Sequence, residues 1–147
     1  MNTTAWVLGL LGAPATAAFG RWAGFDRERS YYPVVLIVVA TYYILFGAIA
    51  GSARVVLIET IAACCFVGLA GLGFKYDLRL VAVGLAGHGI FDFRHARLVP
   101  NPGVPPWWPE FCAAIDGALA AILLLLLCRG VLSRRPNDGP RGHRAGM

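Results

Sequence analysis

Residues 78–98 read LRLVAVGLAGHGIFDFRHARL, an apolar run into which His88, Asp92 and His95 are set. On a helix, at about 100° per residue, Asp92 falls about 40° to one side of His88 and His95 about 20° to the other, so the three share one narrow face. Ionisable groups are costly in a bilayer and face a bundle interior or a watery cavity, which makes each of them a candidate for function. The run from Leu78 to Phe93 is short for a membrane span, which takes about 20 residues and about 17 at the least. Continued as helix past Asp92 and His95 toward Leu98, it reaches spanning length and carries its polar face at the far end. The reading of this stretch therefore decides how many helices the chain has.

Four other apolar stretches surround it: Ala5 to Phe19, Tyr31 to Ala50, Val55 to Phe74, and Phe111 to Cys128. The 147 residues are 58% hydrophobic and 14% charged, against about 45–50% apolar and about 25% charged in a soluble domain. Mean hydropathy is +0.65. The expectation is an all-α integral membrane bundle of five spans, with residues 1–130 forming one bundle and residues 131–147 a disordered basic tail.

The first stretch has a rival reading as a signal peptide, with Ala15-Thr16-Ala17 as its cleavage site, but Met-Asn-Thr-Thr supplies no basic segment before it. Charge decides the matter. With five spans and the N-terminus outside, ten of the thirteen lysines and arginines fall on the inner side, leaving Arg54, Arg94 and Arg97 outside. That asymmetry is what the positive-inside rule expects, whereas removal of the first stretch would reverse it. The chain is thus expected to be N-out and C-in, multi-pass in a cell membrane, with the lipid bilayer as its partner. The net charge of +5 does not point to nucleic acid, because five arginines sit in the C-terminal tail.

Short connections favour antiparallel neighbours. Small residues predict helix contacts at Ala113, Gly117 and Ala121, at Gly68 and Gly71, and at Gly84 and Gly87, while Leu123 to Leu127 is expected to meet lipid. The cysteines form no C-x-x-C pair, and no disulfide is expected among Cys64, Cys65, Cys112 and Cys128.

Topology then brings polar groups together. Glu59 lies about one turn below the outer end of the third span, His88, Asp92 and His95 climb to that level on the fourth, and Asp116 re-enters on the fifth. Tyr42 and Tyr43 on the second span are placed to line the same space. Over it lies Val99-Pro-Asn-Pro-Gly-Val-Pro-Pro-Trp-Trp-Pro109, a proline-stiffened loop expected to be extended, with Pro105, Trp107 and Trp108 as a lid or entrance.

Three chemistries fit this set. Two imidazoles with carboxylates are ligands for a divalent metal such as Zn, Mn or Fe, and His88, Asp92, His95 and Asp116 are the candidates. A carboxylic acid among apolar helices suits proton transfer to a lipid-like substrate, with Asp116 or Glu59 as the catalytic group and a histidine as its partner. The third reading is a non-catalytic protein, a small transporter component or partner subunit, in which the cluster holds helices together or relays protons.

The run Gly87-His88-Gly89-Ile-Phe-Asp92-Phe-Arg-His95, the proline-rich loop, and Cys112-Ala-Ala-Ile-Asp116 together resemble a family of small bacterial integral membrane proteins defined only as a domain of unknown function. The similarity covers roughly residues 80 to 120. Where members carry two consecutive histidines this chain has His95-Ala96. The resemblance implies a bacterial inner membrane and the same His and Asp residues at the site, and it implies no particular activity.

Overall fold

The computed structural model describes residues 2–25 and 29–132. Five helices follow one another: α1 (Thr3–Ala23), α2 (Tyr31–Ile49), α3 (Ala53–Lys75), α4 (Arg79–Leu98) and α5 (Trp108–Cys128). At about 1.5 Å per residue, a helix of this length matches the roughly 30 Å hydrocarbon core of a bilayer. No strand occurs among the described residues. Helices α1, α2, α3 and α5 are long and apolar enough to cross a membrane. The fourth is of spanning length but carries the charged and imidazole side chains, and it turns that polar face toward its neighbours while Val83, Ile90 and Phe93 stand exposed on its other side.

Burial runs opposite to that of a soluble protein. Glu59, His88, Asp92, His95 and Asp116 are all buried, at no more than 2% exposure, while Leu11, Leu57, Ile61, Val83 and Ile90 stand at 60% or more. In water such an exposed shell would aggregate, whereas against lipid tails it is the stable arrangement. This contrast identifies the molecule as a helical membrane bundle.

Local chemistry fixes the helix ends. The Asn2 side chain accepts from the Ala5 N–H at 3.2 Å, and Ser52 caps α3 by accepting from Val55 at 3.3 Å. Between α2 and α3 the reversal needs a left-handed residue, supplied by Gly51 at φ 67°. The helices alternate in direction, so the starts of α1, α3 and α5 lie at one end with the finishes of α2 and α4. Helix α5 packs on both α1 and α4, α2 packs on α3, and α4 also touches α2 and α3.

Several boundaries and contacts differ from expectation. Helix α1 extends on both sides of Ala5–Phe19, because Arg21 is tolerated in a last turn. Helix α5 begins at Trp108 rather than Phe111. Pro109 is compatible with this start, since first-turn N–H groups have no intrahelical partner to lose. The loop is correspondingly shorter, and it is not uniformly extended: Val104 N–H bonds Asn101 O at 3.2 Å and Trp108 N–H bonds Pro105 O at 3.0 Å.

Among the small residues, Gly68, Gly71 and Gly117 face open space. The close approaches occur elsewhere: Gly9 against the Phe111 carbonyl and Ala114, Gly73 against Val81, and Gly89 against the Ala113 carbonyl, with Gly84 fitting Leu36 as expected of a contact glycine. Leu123 and Leu127 are fully buried, and only Leu124 and Leu125 of that run face outward to a large extent. The expected tail lies, beyond Leu132, outside the described residues.

Candidate functional site

The polar residues converge at the end of the bundle where α3 and α5 begin. Spacing on α4 does the first part of the work. His88 and Asp92 are one turn apart, and His88 Nδ1 lies 3.1 Å from Asp92 Oδ2. Helix α5 crosses closely enough at Gly89 to bring Asp116 in, and His88 Nδ1 stands 2.7 Å from Asp116 Oδ2. A carboxylate accepts only, so the Nδ1–H of His88 is the donor, drawn between two carboxylates with the shorter bond to Asp116.

A second pair sits two turns further along α4. His95 Nε2 meets Glu59 Oε1 at 2.7 Å. Asn101, from the loop, donates to the same Glu59 oxygen at 3.1 Å and to the Tyr43 carbonyl at 3.2 Å. Its Oδ1 accepts from Gly103 N–H at 3.2 Å. Gly103 itself lies so close to the Phe46 carbonyl that a Cβ would collide with it. The loop is therefore pinned to α2 and α3 through one side chain and one glycine.

Tyr43 joins the two halves. Its hydroxyl donates to Asp92 Oδ1 at 2.7 Å, and its ring stacks on His95 with centroids 3.9 Å apart and an interplanar angle of 15°. Phe66 and Phe91 complete the wall around the imidazoles, with Phe66 edge-on to His88 at 4.8 Å and Phe91 edge-on to His95 at 5.4 Å. A hydroxyl bond and an aromatic stack thus place all five ionisable groups in one connected, dry network.

Two features bear on what this network can do. His88, Asp92 and Asp116 each present a ligand atom, and these atoms lie within 4.8 Å of one another. It is the one such group of three or more among the described residues. Second, Asp116 Oδ1 and Glu59 Oε2 are buried with no hydrogen-bond partner, and Asp92 Oδ2, which makes no hydrogen bond of its own, has only the 3.1 Å approach of the His88 Nδ1 that Asp116 holds more closely. An unsatisfied buried oxygen is expensive, and in a native structure it points to an ion, a water or a ligand. Three ionised carboxylates against two protonated imidazoles would also leave one negative charge uncompensated in a low-dielectric interior, which requires a further proton or cation.

Of the residues expected at the site, His88, Asp92 and Asp116 lie in this group. His95 lies with Glu59 instead, so the two residues expected to do proton transfer, Glu59 and Asp116, stand in different halves. Pro105 lines a cleft of about 580 Å³ formed mainly by the loop prolines, Val99, Asn101 and Val104, with His95 also in its lining. Trp107 is 45% exposed. Trp108 belongs to α5 and packs edge-on against Tyr42 at 5.0 Å and Phe46 at 5.1 Å. Asn101 is the residue of this cluster that the sequence alone did not single out. The signal for it was the lone amide in a loop otherwise made of prolines, apolar residues and glycine.

Comparison with protein-family models, with curated proteins and with solved structures finds no match for this chain.

Proposed function

We propose that the chain holds a divalent cation at His88 Nδ1, Asp92 and Asp116 and uses it as an enzyme or binding protein for a lipid-like molecule. We place it in a bacterial inner membrane, N-terminus out, on the distribution of its basic residues and its resemblance to small bacterial membrane proteins. The observation that carries the metal reading is the trio of buried ligand atoms within 4.8 Å, two of its residues having an oxygen without a hydrogen bond. Charge supports it. A dication with a neutral imidazole and two carboxylates sums to zero, whereas a protonated imidazole with two carboxylates leaves an excess negative charge. One imidazole and two carboxylates suit Zn, Mn or Fe, and three protein ligands leave a coordination position for water or substrate. The neighbouring His95–Glu59 pair is the candidate acid–base partner, with Asp116 the second carboxylate available for proton transfer.

The experiment is elemental mass spectrometry on protein purified in mild detergent without chelators, with His88→Ala and Asp92→Asn in parallel. About one equivalent in wild type, lost in both variants while they remain folded and monodisperse, is the expected result. No metal, combined with a large loss of thermal stability in both variants, would establish the second reading. That reading is a non-catalytic network that fixes the helices or relays protons. It is favoured by one observation: Asp116, His88, Asp92, Tyr43, His95, Glu59 and Asn101 are linked in turn by polar contacts and one ring stack, from α5 to the loop between α4 and α5.

A further inference from the structure

Helices α2 and α5 do not pack along their lengths. Between them, with Thr16 of α1 also in its lining, runs a groove of about 280 Å³. Its α2 wall is Val34, Val35, Val38, Val39 and Tyr42, and its α5 wall includes Trp108, Ile115 and Leu119. Val34 and Val38 are 52% and 45% exposed on the outer surface of the bundle, so the groove opens sideways toward lipid rather than toward the proline loop. At its outer end the Tyr42–Trp108–Phe46 aromatic contacts close it off from the headgroup side.

An apolar groove alone would say nothing about its occupant. This one has Asp116 in its floor, fully buried. The Oδ2 of that residue is held by His88, while Oδ1 has no partner. A carboxylate oxygen takes a cation or a hydrogen-bond donor, and a donor that reaches Asp116 from the bilayer through walls of valine and leucine is one carried on a hydrocarbon chain. A groove near the small end of the roughly 300–1,000 Å³ typical of ligand sites takes one chain rather than a two-chain lipid.

We infer that this groove receives a long-chain alcohol from the bilayer, acyl or isoprenoid, whose terminal hydroxyl donates to Asp116 Oδ1. The inference deepens the proposed function by naming its lipid-like molecule, and it rests on that part of the reading. Hydroxyl delivery to Asp116 would set the oxygen of the alcohol beside the His88 and Asp92 ligand atoms. The lateral opening makes the proline loop a cover for the His95–Glu59 half rather than the way in for the chain.

The test uses the full chain in phospholipid vesicles with a photoreactive long-chain alcohol, and the same chain without its hydroxyl as control. Labelled residues are mapped by mass spectrometry, and metal content is measured on the same samples. The expected result is labelling concentrated on Val34, Val38 and Ile115, about tenfold weaker for the control chain, the worth of one hydrogen bond to a charged group. Val38→Trp, which blocks the groove from its exposed α2 side, should abolish the focused labelling while any bound metal is retained. Val35→Phe serves as a second filling variant. Labelling spread evenly over lipid-facing residues, equal labelling by the control chain, or labelling unchanged in a folded filling variant would overturn the inference. Focused, hydroxyl-dependent labelling in metal-free protein would support the groove and sink the cation site. Bound metal with no focused labelling would do the reverse.

Discussion

The hydroxyl of Tyr43 lies 2.7 Å from Asp92 Oδ1, and through this bond α2 reaches the buried centre of α4. Both residues are about 1% exposed or less, so the bond is made in a dry setting. Tyr43→Phe keeps the ring on His95 and removes only the donor. We expect a loss of about 1–2 kcal/mol, in the range of a buried hydrogen bond to a charged group and toward the upper end of interhelical polar contacts in membranes. The measurement is equilibrium unfolding in mixed micelles. Tyr43→Phe as stable as wild type would mean that Asp92 finds another donor at no cost.

The division of the site into two halves gives a sharper discrimination. If the cation sits on His88, Asp92 and Asp116, then His95→Ala should retain the metal and His88→Ala should lose it. His95→Ala should instead loosen Glu59 and the loop, because Glu59 then keeps only Asn101 as a hydrogen-bond partner on that oxygen. Metal content and thermal stability measured on the same variants separate these effects. Equal metal loss in both would place His95 among the ligands.

Sequence spacing could show the shared face of α4 but not which carboxylate joins which half. His88 and His95 point the same way around the helix, yet seven residues at about 1.5 Å each separate them by about 10 Å along its axis, too far for one ion. Which carboxylate meets which imidazole depends on the depths at which α3 and α5 cross, and Glu59 and Asp116 carry no mark of that. The five helices themselves were legible because length and apolarity are the requirements a bilayer imposes, and the shared polar face of α4 marked which side of it turns inward. Their ends were less so. Trp108 and Pro109 look like loop but fit a first turn, and Asn101 gains its role only once the loop has folded back over Tyr43.

Asn101 makes a prediction of its own. It bonds Tyr43 O, Glu59 Oε1 and Gly103 N–H together, so Asn101→Ala should release the segment between α4 and α5 without unfolding the helices. We expect faster backbone hydrogen exchange at Gly103 and Val104, with protection along α4 and α5 unchanged. Exchange that stays at the wild-type rate would show that the prolines and the fit of Gly103 against Phe46 hold the loop without the amide.

The glycines offer a paired test of how the helices meet. A Cβ on Gly9 would stand 2.5 Å from the Phe111 carbonyl and 2.7 Å from the Ala114 Cβ, and backbone on a packed helix cannot step aside. Gly9→Ala should therefore push α1 from α5, at a cost of about 1–3 kcal/mol as for other overpacked sites. Gly117 carries the small-residue spacing that suggests a contact, but a Cβ there meets nothing within 4 Å. Gly117→Ala should be neutral or stabilising by up to about 1 kcal/mol, the helix-propensity difference between the two residues. Thermal unfolding of both variants in the same detergent decides between the geometry and the motif. If Gly117→Ala is the damaging change and Gly9→Ala the harmless one, α5 turns a different face to its neighbours, and Asp116, one residue from Gly117, would turn with it.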